Sequence, residues 1–298
     1  MKTLKYFLYT IGFFIFFIAA LPARAFEISP VKSLFTVNPG TTQTIVVKIK
    51  NTESNNLAFK LNVLGMMQDE DGRPIFARGI DMAESWVYPE NNLVNIKSGE
   101  IKSVNFIIKI PIDAVAGSYY LGLGVEPVLE NGGDVSLATR LVSLLTLEIK
   151  GMVQESVEIE KWEPLFGVAD KKVWKFNLNL KNNGTVEALM QGKIAIRNWR
   201  GEEIFSEPII LGNKLLAGSK RVLHPEIILR NNINLPAGQA GLPGLYSAQV
   251  KINYGRTNQV VSSIANVWYF PKWSKIFLGI IILILIFLIF RRAKRVRR

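Results

Sequence analysis

Apolar and polar residues alternate along several stretches of this 298-residue chain, and this period of two constrains the fold more than any other feature. In the segments TIVVKIKN, AFKLNV, SVNFIIKI and RLVSLLTLEI, nearly every second residue is apolar. Successive side chains of a β-strand point to opposite faces, so each segment predicts a strand with one buried face. Between the two ends of the chain we find no amphipathic helical pattern. The sequence therefore predicts an all-β fold.

The second half of the chain repeats the strand and turn signals of the first half in the same order. The strand VWKFNLNLKN closes on Lys-Asn as TIVVKIKN does, and DGRPIF, SGE and GSY are echoed by RGEEIF, AGS and GLY. The echoed tyrosines are Tyr119 and Tyr246. Four ordered matches predict two related domains in tandem, and a chance ordering of turn signals between strands is the alternative.

About seven short strands in each half, separated by turns, are typical of an immunoglobulin-like β-sandwich. We predict a first such domain over residues 26–151 and a second over residues 152–270. Tyr119 and Tyr246 stand at the start of a late strand, where a tyrosine either hydrogen-bonds back to the preceding loop as a tyrosine corner or fills a sheet face. Asp71-Gly72 predicts a type I′ hairpin turn, in which both central residues have positive φ.

The N-terminal segment 1–25 has the features of a secretory signal peptide. A short basic stretch precedes an apolar run from Tyr6 to Leu21, and Ala23-Arg24-Ala25 offers small residues at the positions that signal peptidase reads. We predict cleavage after Ala25. An uncleaved signal anchor is the alternative.

The C-terminal segment 271–290 is predicted to be a transmembrane helix. The run from Ile276 to Phe290 carries no charged residue, and aromatic residues precede it, as they do at a membrane interface. The basic tail 291–298, RRAKRVRR, follows at once, and such tails stay in the cytoplasm. We therefore predict a single-pass type I protein of the plasma membrane, with an extracellular N-terminal ectodomain and a cytoplasmic C-terminus.

The formal net charge of +12 comes from the two ends of the chain. Without the eleven basic residues of the signal region and of the chain beyond residue 271, 25 basic residues stand against 24 acidic ones. A basic chain suggests a nucleic-acid partner, but this charge belongs to the membrane-flanking segments, so we expect none. The chain has no cysteine, and its exported domains must be stabilised by apolar cores instead of disulfides.

Residue types that build common catalytic and metal sites are scarce. His224 is the only histidine and cysteine is absent, which excludes the usual zinc sites and thiol nucleophiles. The stretch QDEDG at 68–72 is rich in carboxylates but lacks the downstream glutamate of a calcium loop, so a hairpin turn is favoured. We predict no catalytic residue, no metal site, no cofactor and no enzymatic activity.

The order of signal peptide, two β-domains, membrane span and basic tail resembles the WxL-interacting cell-surface proteins of Gram-positive bacteria. The resemblance rests on FEISPVKSLFTVNPGTTQTIVVKIKN, DGRPIF and IKSGEIKSVNFIIKIPIDAVAGSYYLGLGV in the first half, and on RGEEIF and GLYSAQVKINYG in the second. It implies that the first domain binds peptidoglycan and that the second binds a surface or host partner.

From these features we expect a non-enzymatic, membrane-anchored bacterial cell-surface protein. It would bind an envelope polymer such as peptidoglycan, or a partner surface protein, through sandwich faces or exposed strand edges. The alternative is an accessory subunit of a membrane-associated secretion or pilus-like assembly, and an enzyme acting on envelope polymers is less favoured. The segment 231–244, NNINLPAGQAGLPG, predicts a surface loop whose role is open.

Overall fold

The computed structural model describes residues 26–128, 140–169, 173–212, 214–228 and 242–296. The predicted signal peptide and most of the predicted loop 231–244 lie outside the described residues. The described part of the chain contains nineteen β-strands, one short 3-10 helix and one long C-terminal helix. The domain boundaries at residues 151 and 270 stay predictions, but the all-β, immunoglobulin-like fold with one C-terminal helix is confirmed by the strand order.

The first sandwich consists of two sheets. A four-stranded sheet has the order β1-β3-β8-β6, and a six-stranded sheet has the order β2-β10-β9-β4-β5, with β7 also paired to β4. The 3-10 helix Met82–Trp86 precedes β6. The strands are β1 (Glu27–Ser29), β2 (Lys32–Val37), β3 (Thr42–Lys50), β4 (Leu57–Gln68), β5 (Pro74–Ala77), β6 (Val87–Pro89), β7 (Leu93–Ile96), β8 (Ile101–Lys109), β9 (Gly117–Pro127) and β10 (Leu141–Ile149).

The second sandwich is also built from two layers. One layer has the order β11-β13-β16, with β17 also paired to β13, and the other has the order β12-β19-β18-β14-β15. The strands are β11 (Val157–Pro164), β12 (Val168–Ala169), β13 (Val173–Asn182), β14 (Met190–Arg197), β15 (Glu203–Ile209), β16 (Lys220–Leu223), β17 (Glu226–Ile228), β18 (Gly244–Tyr254) and β19 (Gln259–Tyr269).

In each sandwich the first edge is divided: its first strand pairs in one sheet and its second strand pairs in the other. Strand β1 pairs antiparallel with β3, whereas β2 pairs parallel with β10 in the other sheet. In the second sandwich, β11 pairs antiparallel with β13, and β12 pairs parallel with β19. The shared topology makes β9 and β18 equivalent strands. The divided edge adds one strand to each sandwich, and the sandwiches have ten and nine strands where the sequence predicts about seven.

Each sandwich encloses its own apolar core, formed by the inward residues of the alternating strands. On β8, for example, Val104, Phe106 and Ile108 are buried while their neighbours along the strand are more exposed. On β13, the equivalent pattern buries Phe176 and Leu178. The period of two in the sequence therefore identifies the core faces correctly.

The hairpin between β4 and β5 differs from its predicted turn type. Asp69 N donates to Arg73 O at 2.9 Å, and Gly72 N donates to Asp69 O at 2.9 Å, which closes a three-residue loop. Gly72 has a φ of 83°, but Asp71 does not have positive φ. The type I′ prediction is therefore wrong, because a three-residue loop needs positive φ only at its last position.

The C-terminal helix Lys272–Val296 is the one helix among the described residues that is long and apolar enough to cross a membrane. Its stretch Lys272–Ile289 is strongly apolar, and none of it is buried against the sandwiches. An unburied apolar helix of this length has the properties of a membrane span. The helix continues into the basic segment, beyond the predicted end at residue 290.

Candidate binding cleft between the sandwiches

The hairpin between β4 and β5 reaches across from the first sandwich to the second. Val222 N of β16 donates to Glu70 O at the hairpin tip at 2.9 Å. The Gln68 side chain makes two further bonds: its Nε2 donates to Lys214 O at 3.2 Å, and its Oε1 accepts from Leu216 N at 3.1 Å. These backbone and amide hydrogen bonds fix the position of the hairpin on the second sandwich.

A buried arginine of the second sandwich packs against the same hairpin. Arg221 is 2% exposed, and its guanidinium donates to Leu211 O at 2.9 Å and to Lys214 O at 3.2 Å. The guanidinium lies so close to Gly72 that a Cβ atom there would stand 2.5 Å from Arg221 Nη2. Burial lowers the pKa of Arg221, and the negative charge of Asp69 opposes this shift.

The start of β9 forms a second contact between the sandwiches. Ser118 N donates to Thr185 O at 2.8 Å. Beside it, Met66, Tyr120 and Leu216 form a small buried apolar cluster that joins the two domains. The domains are thus held together by hydrogen bonds and packing as well as by the connecting segment after β10.

Between these two contacts lies a cleft of about 700 Å³ that both sandwiches line. Its walls are mainly apolar, and several wall side chains are open to solvent: Met67 is 45% exposed, Ile75 is 43% exposed and Val115 is 64% exposed. The second sandwich contributes Leu216 and Lys220. A concave, mainly apolar surface with a few polar groups is typical of a ligand-binding site.

One carboxyl group of the cleft has a perturbed pKa. Burial raises the pKa of Asp81, and the nearby charge of Glu84 raises it further, while the hydrogen bond from Ala83 N opposes the shift. That bond, 2.9 Å from Ala83 N to Asp81 Oδ1, caps the 3-10 helix. Burial also raises the pKa of Tyr119, with a smaller effect from the charge of Asp81. Asp81 therefore has a structural role at this wall of the cleft.

Of the residues that the sequence suggests for chemistry, His224 lies away from the cleft, whereas Gln68, Asp69 and Glu70 of QDEDG line it. His224 is exposed, and its Nδ1 lies 3.0 Å from Asn177 Oδ1. QDEDG forms the β4–β5 hairpin, which confirms the turn interpretation. Within the described ranges no group of His, Asp and Glu side chains could hold a metal ion.

The apolar walls of the cleft could not be predicted from the sequence. Met67, Ile75 and Val115 are apolar residues at strand ends and in a loop, and nothing local distinguishes them from scattered surface residues. Only the docking of the β4–β5 hairpin onto the second sandwich brings them to one cleft.

Three edges of the sheets are poor sites for pairing with another strand. The edge strands β5, β6 and β15 contain Pro74, Pro89 and Pro208, and β6 is only three residues long. Proline lacks the N–H that a new strand would need, and short edges also resist pairing. The cleft is therefore a better candidate for binding than these edges.

No family model matches this chain, and no curated protein sequence matches it. The chain is similar to solved structures of 9–18% identity. One, from a chaperone–tip adhesin complex of CFA/I fimbriae biogenesis, is 13% identical, with 81% of this chain and 98% of that one covered and a TM-score of 0.47. The class 5 fimbriae chaperone CfaA is 12% identical, with coverage of 81% and 99% and a TM-score of 0.44.

A third similar structure is the CsuC–CsuE chaperone–tip adhesion subunit pre-assembly complex of Acinetobacter baumannii Csu pili. It is 17% identical, with 67% of this chain and 89% of that one covered and a TM-score of 0.36. Because these TM-scores are below 0.5, the similarities do not indicate which function this chain has. The fold assignment rests on the strand order described above.

Proposed function

We propose that this chain is a non-enzymatic, membrane-anchored cell-surface protein that binds an extended segment of a partner protein in the cleft between its sandwiches. The observation that carries this proposal is the set of solvent-open apolar side chains on the cleft walls. The apolar C-terminal helix supplies the anchor, and the type I orientation remains part of the proposal.

The chemistry of the walls favours a protein segment as the ligand. Burial of an apolar side chain contributes roughly 25 cal/mol per Å² of area removed from water, so walls of Met67, Ile75 and Val115 favour an apolar segment. The cleft also has polar groups at its rim, including Glu70 and Lys220, which can orient a backbone. An accessory role in a secretion or pilus-like assembly is one form of this proposal.

An envelope polymer is the second candidate ligand. The hydroxyl groups of Ser118 and Ser219 and the carboxylate of Asp69 line the same cleft, and sugars form hydrogen bonds with groups of these kinds. The resemblance to WxL-interacting proteins favours this candidate for the first domain. Cross-linking to a protein tests the first candidate, and retention on peptidoglycan tests the second.

A photo-cross-linking amino acid at Ile75 in the full-length protein tests the proposal in intact cells. We expect one discrete adduct, which a second cross-linker at Val115 should reproduce. The matched control is Ile101, an exposed apolar residue on the outer face of the first sandwich, away from the cleft. The same adduct at Ile101 would contradict a role for the cleft.

Retention on purified peptidoglycan tests the polymer candidate. If the cleft binds polymer, the detergent-solubilised full chain should be retained, and Val115→Asp should reduce that retention. A protein adduct without retention would support the partner protein. Absence of both the adduct and the retention would contradict the proposed function.

A further inference from the structure

The hairpins β4–β5 and β14–β15 occupy equivalent positions in the two sandwiches and share one geometry. The second of them, Asn198–Glu202, is closed by a bond of 3.0 Å from Asn198 N to Glu202 O, and its Gly201 has a φ of 84°. Gly72 has the same place and nearly the same φ in the first hairpin. The two tips therefore point to the same end of their domains.

The tips of the two hairpins differ in chemistry. The first tip carries Glu70 and Asp71 and rests on the second sandwich. The second tip carries Trp199 and Arg200, and Trp199 is 58% exposed. The Arg200 guanidinium lies over the Trp199 ring, 4.6 Å from its centroid, as a cation–π pair. An exposed tryptophan paired with an arginine is suited to a surface that has an anionic outer layer over an apolar interior.

The second tip faces the C-terminal helix, where the first tip faces a protein domain. Trp199, Leu242 and Phe270 line an apolar groove of about 690 Å³, and Trp273, Phe277 and Ile281 of the helix form its other wall. From Trp273 to Ile281 the helix rises about 12 Å at 1.5 Å per residue. The groove thus extends along the first two turns of the helix.

The length of the uncharged apolar run determines the depth of this groove. The run Ile276–Phe290 has 15 residues and rises about 22 Å, less than the ~30 Å of a hydrocarbon core. A span of this length must place the whole run within the bilayer, including Phe277 and Ile281. The groove between these residues and the hairpin would then open to lipid instead of water.

We propose that the second hairpin docks onto the lipid bilayer beside the helix. Trp199 and Leu242 enter the interfacial region, where tryptophan is enriched in membrane proteins. Arg200 binds the phosphate of a lipid headgroup, and its planar guanidinium suits that contact. This inference rests on the membrane span of the proposed function. It adds that the second sandwich contacts the membrane directly, in addition to its connection through the helix.

A fluorescent label next to the hairpin tests the docking in the full-length chain. The sequence has no cysteine, so Glu202→Cys provides one unique site for a bimane label and leaves Trp199 and Arg200 unchanged. The matched control is Arg73→Cys, at the equivalent position of the first hairpin. The labelled chains are placed in nanodiscs of phosphatidylcholine and phosphatidylglycerol that contain a spin-labelled lipid quencher.

We expect several-fold stronger quenching of the label at position 202 than at position 73. Adding Trp199→Ser and Arg200→Glu to the Glu202→Cys chain should abolish that difference. Equal quenching at the two positions, with the chain still resistant to alkaline extraction, would overturn the docking but not the span. Release of the chain by alkali would overturn both.

Discussion

The hydroxyl groups of Tyr119 and Tyr246 make the same hydrogen bond in the two sandwiches. Tyr119 Oη donates to Val115 O at 3.0 Å, and Tyr246 Oη donates to Leu242 O at 2.8 Å, each four residues upstream. Both tyrosines stand near the start of equivalent strands, β9 and β18. Of the two alternatives that the sequence leaves open, the hydrogen bonds are those of a tyrosine corner. Each ring also packs on an aromatic partner, so the hydrogen bond and the packing act together.

Removing the tyrosine hydroxyl group should lower the stability of the second sandwich more than that of the first. Tyr246 is 1% exposed, and its hydrogen bond to Leu242 O is less open to water than the bond from Tyr119 to Val115 O. We expect a loss of about 1 kcal/mol in the free energy of unfolding, the typical net value of one hydrogen bond. Tyr119→Phe should cost less, because Tyr119 is partly exposed and water can replace the hydroxyl. Urea unfolding followed by near-ultraviolet circular dichroism measures both, and the reverse order would contradict this explanation.

Asn51 and Asn182 form a second pair of equivalent residues. Both are fully buried, and each Nδ2 donates to the carbonyl four residues downstream, Asn55 O at 2.8 Å and Val186 O at 2.8 Å. Each Oδ1 accepts from the N–H two residues downstream, at 3.0 Å and 2.9 Å. These asparagines close the loops after β3 and β13.

Asn182→Asp should destabilise the second sandwich strongly. The amide of Asn182 donates to Val186 O and Leu215 O, and a carboxylate would place an acceptor against both carbonyl oxygens. A buried group left without its partner costs about 1–3 kcal/mol, and a charged group costs more. Thermal unfolding of the full chain measures the loss. The neighbouring Asn183→Asp is the control: Asn183 is exposed, so a change as large as that of Asn182→Asp would contradict the role of burial.

The sequence predicts the repeated elements well because their causes are local. The closing Lys-Asn pairs, the glycines after the turns and the corner tyrosines each require one residue type at one backbone position. Gly99 and Gly218, for example, have φ values of 73° and 72° at equivalent turns. The divided first edge of each sandwich was not predicted, because pairing with a second sheet leaves no local pattern.

The cleft and the Trp199 hairpin depend on contacts that are distant in the sequence. Ile75 and Leu216 lie in different domains and meet at one cleft only because Gln68 and Glu70 dock on the second sandwich. Trp199 follows a strand like many surface residues, and its position beside the helix depends on the topology of the whole second sandwich. Periodicity and turn chemistry contain no information about such contacts.

Gly72→Ala should weaken the contact between the domains. The backbone of Gly72 has positive φ, which costs a residue with a Cβ about 1–2 kcal/mol, and the new Cβ would also meet the Arg221 guanidinium at 2.5 Å. Arg221 cannot move freely, because two carbonyl oxygens hold its guanidinium. Limited proteolysis of the segment after β10 measures domain separation, and we expect faster cleavage in the variant.

Gly201→Ala is the matched control for that substitution. Gly201 has nearly the same positive φ as Gly72, but a Cβ there would have no heavy atom within 4 Å. The strain should therefore be similar and the effect on the contact between domains absent. If Gly201→Ala accelerates proteolysis as much as Gly72→Ala, the Arg221 contact does not account for the change.

The buried hydroxyl of Tyr120 should make the protein unstable at high pH. Burial raises the pKa of Tyr120, and the negative charge of Glu187 raises it further, so the folded state keeps the proton. A tyrosine of the unfolded chain loses its proton near pH 10. The free energy of unfolding should therefore fall as the pH rises above about 10, because only the unfolded state gains by ionising. Tyr120→Phe should reduce this fall, whereas Tyr88→Phe, at an exposed position, should not. Urea unfolding at pH values on either side of 10 measures the difference, and equal pH dependence in wild type and Tyr120→Phe would contradict it.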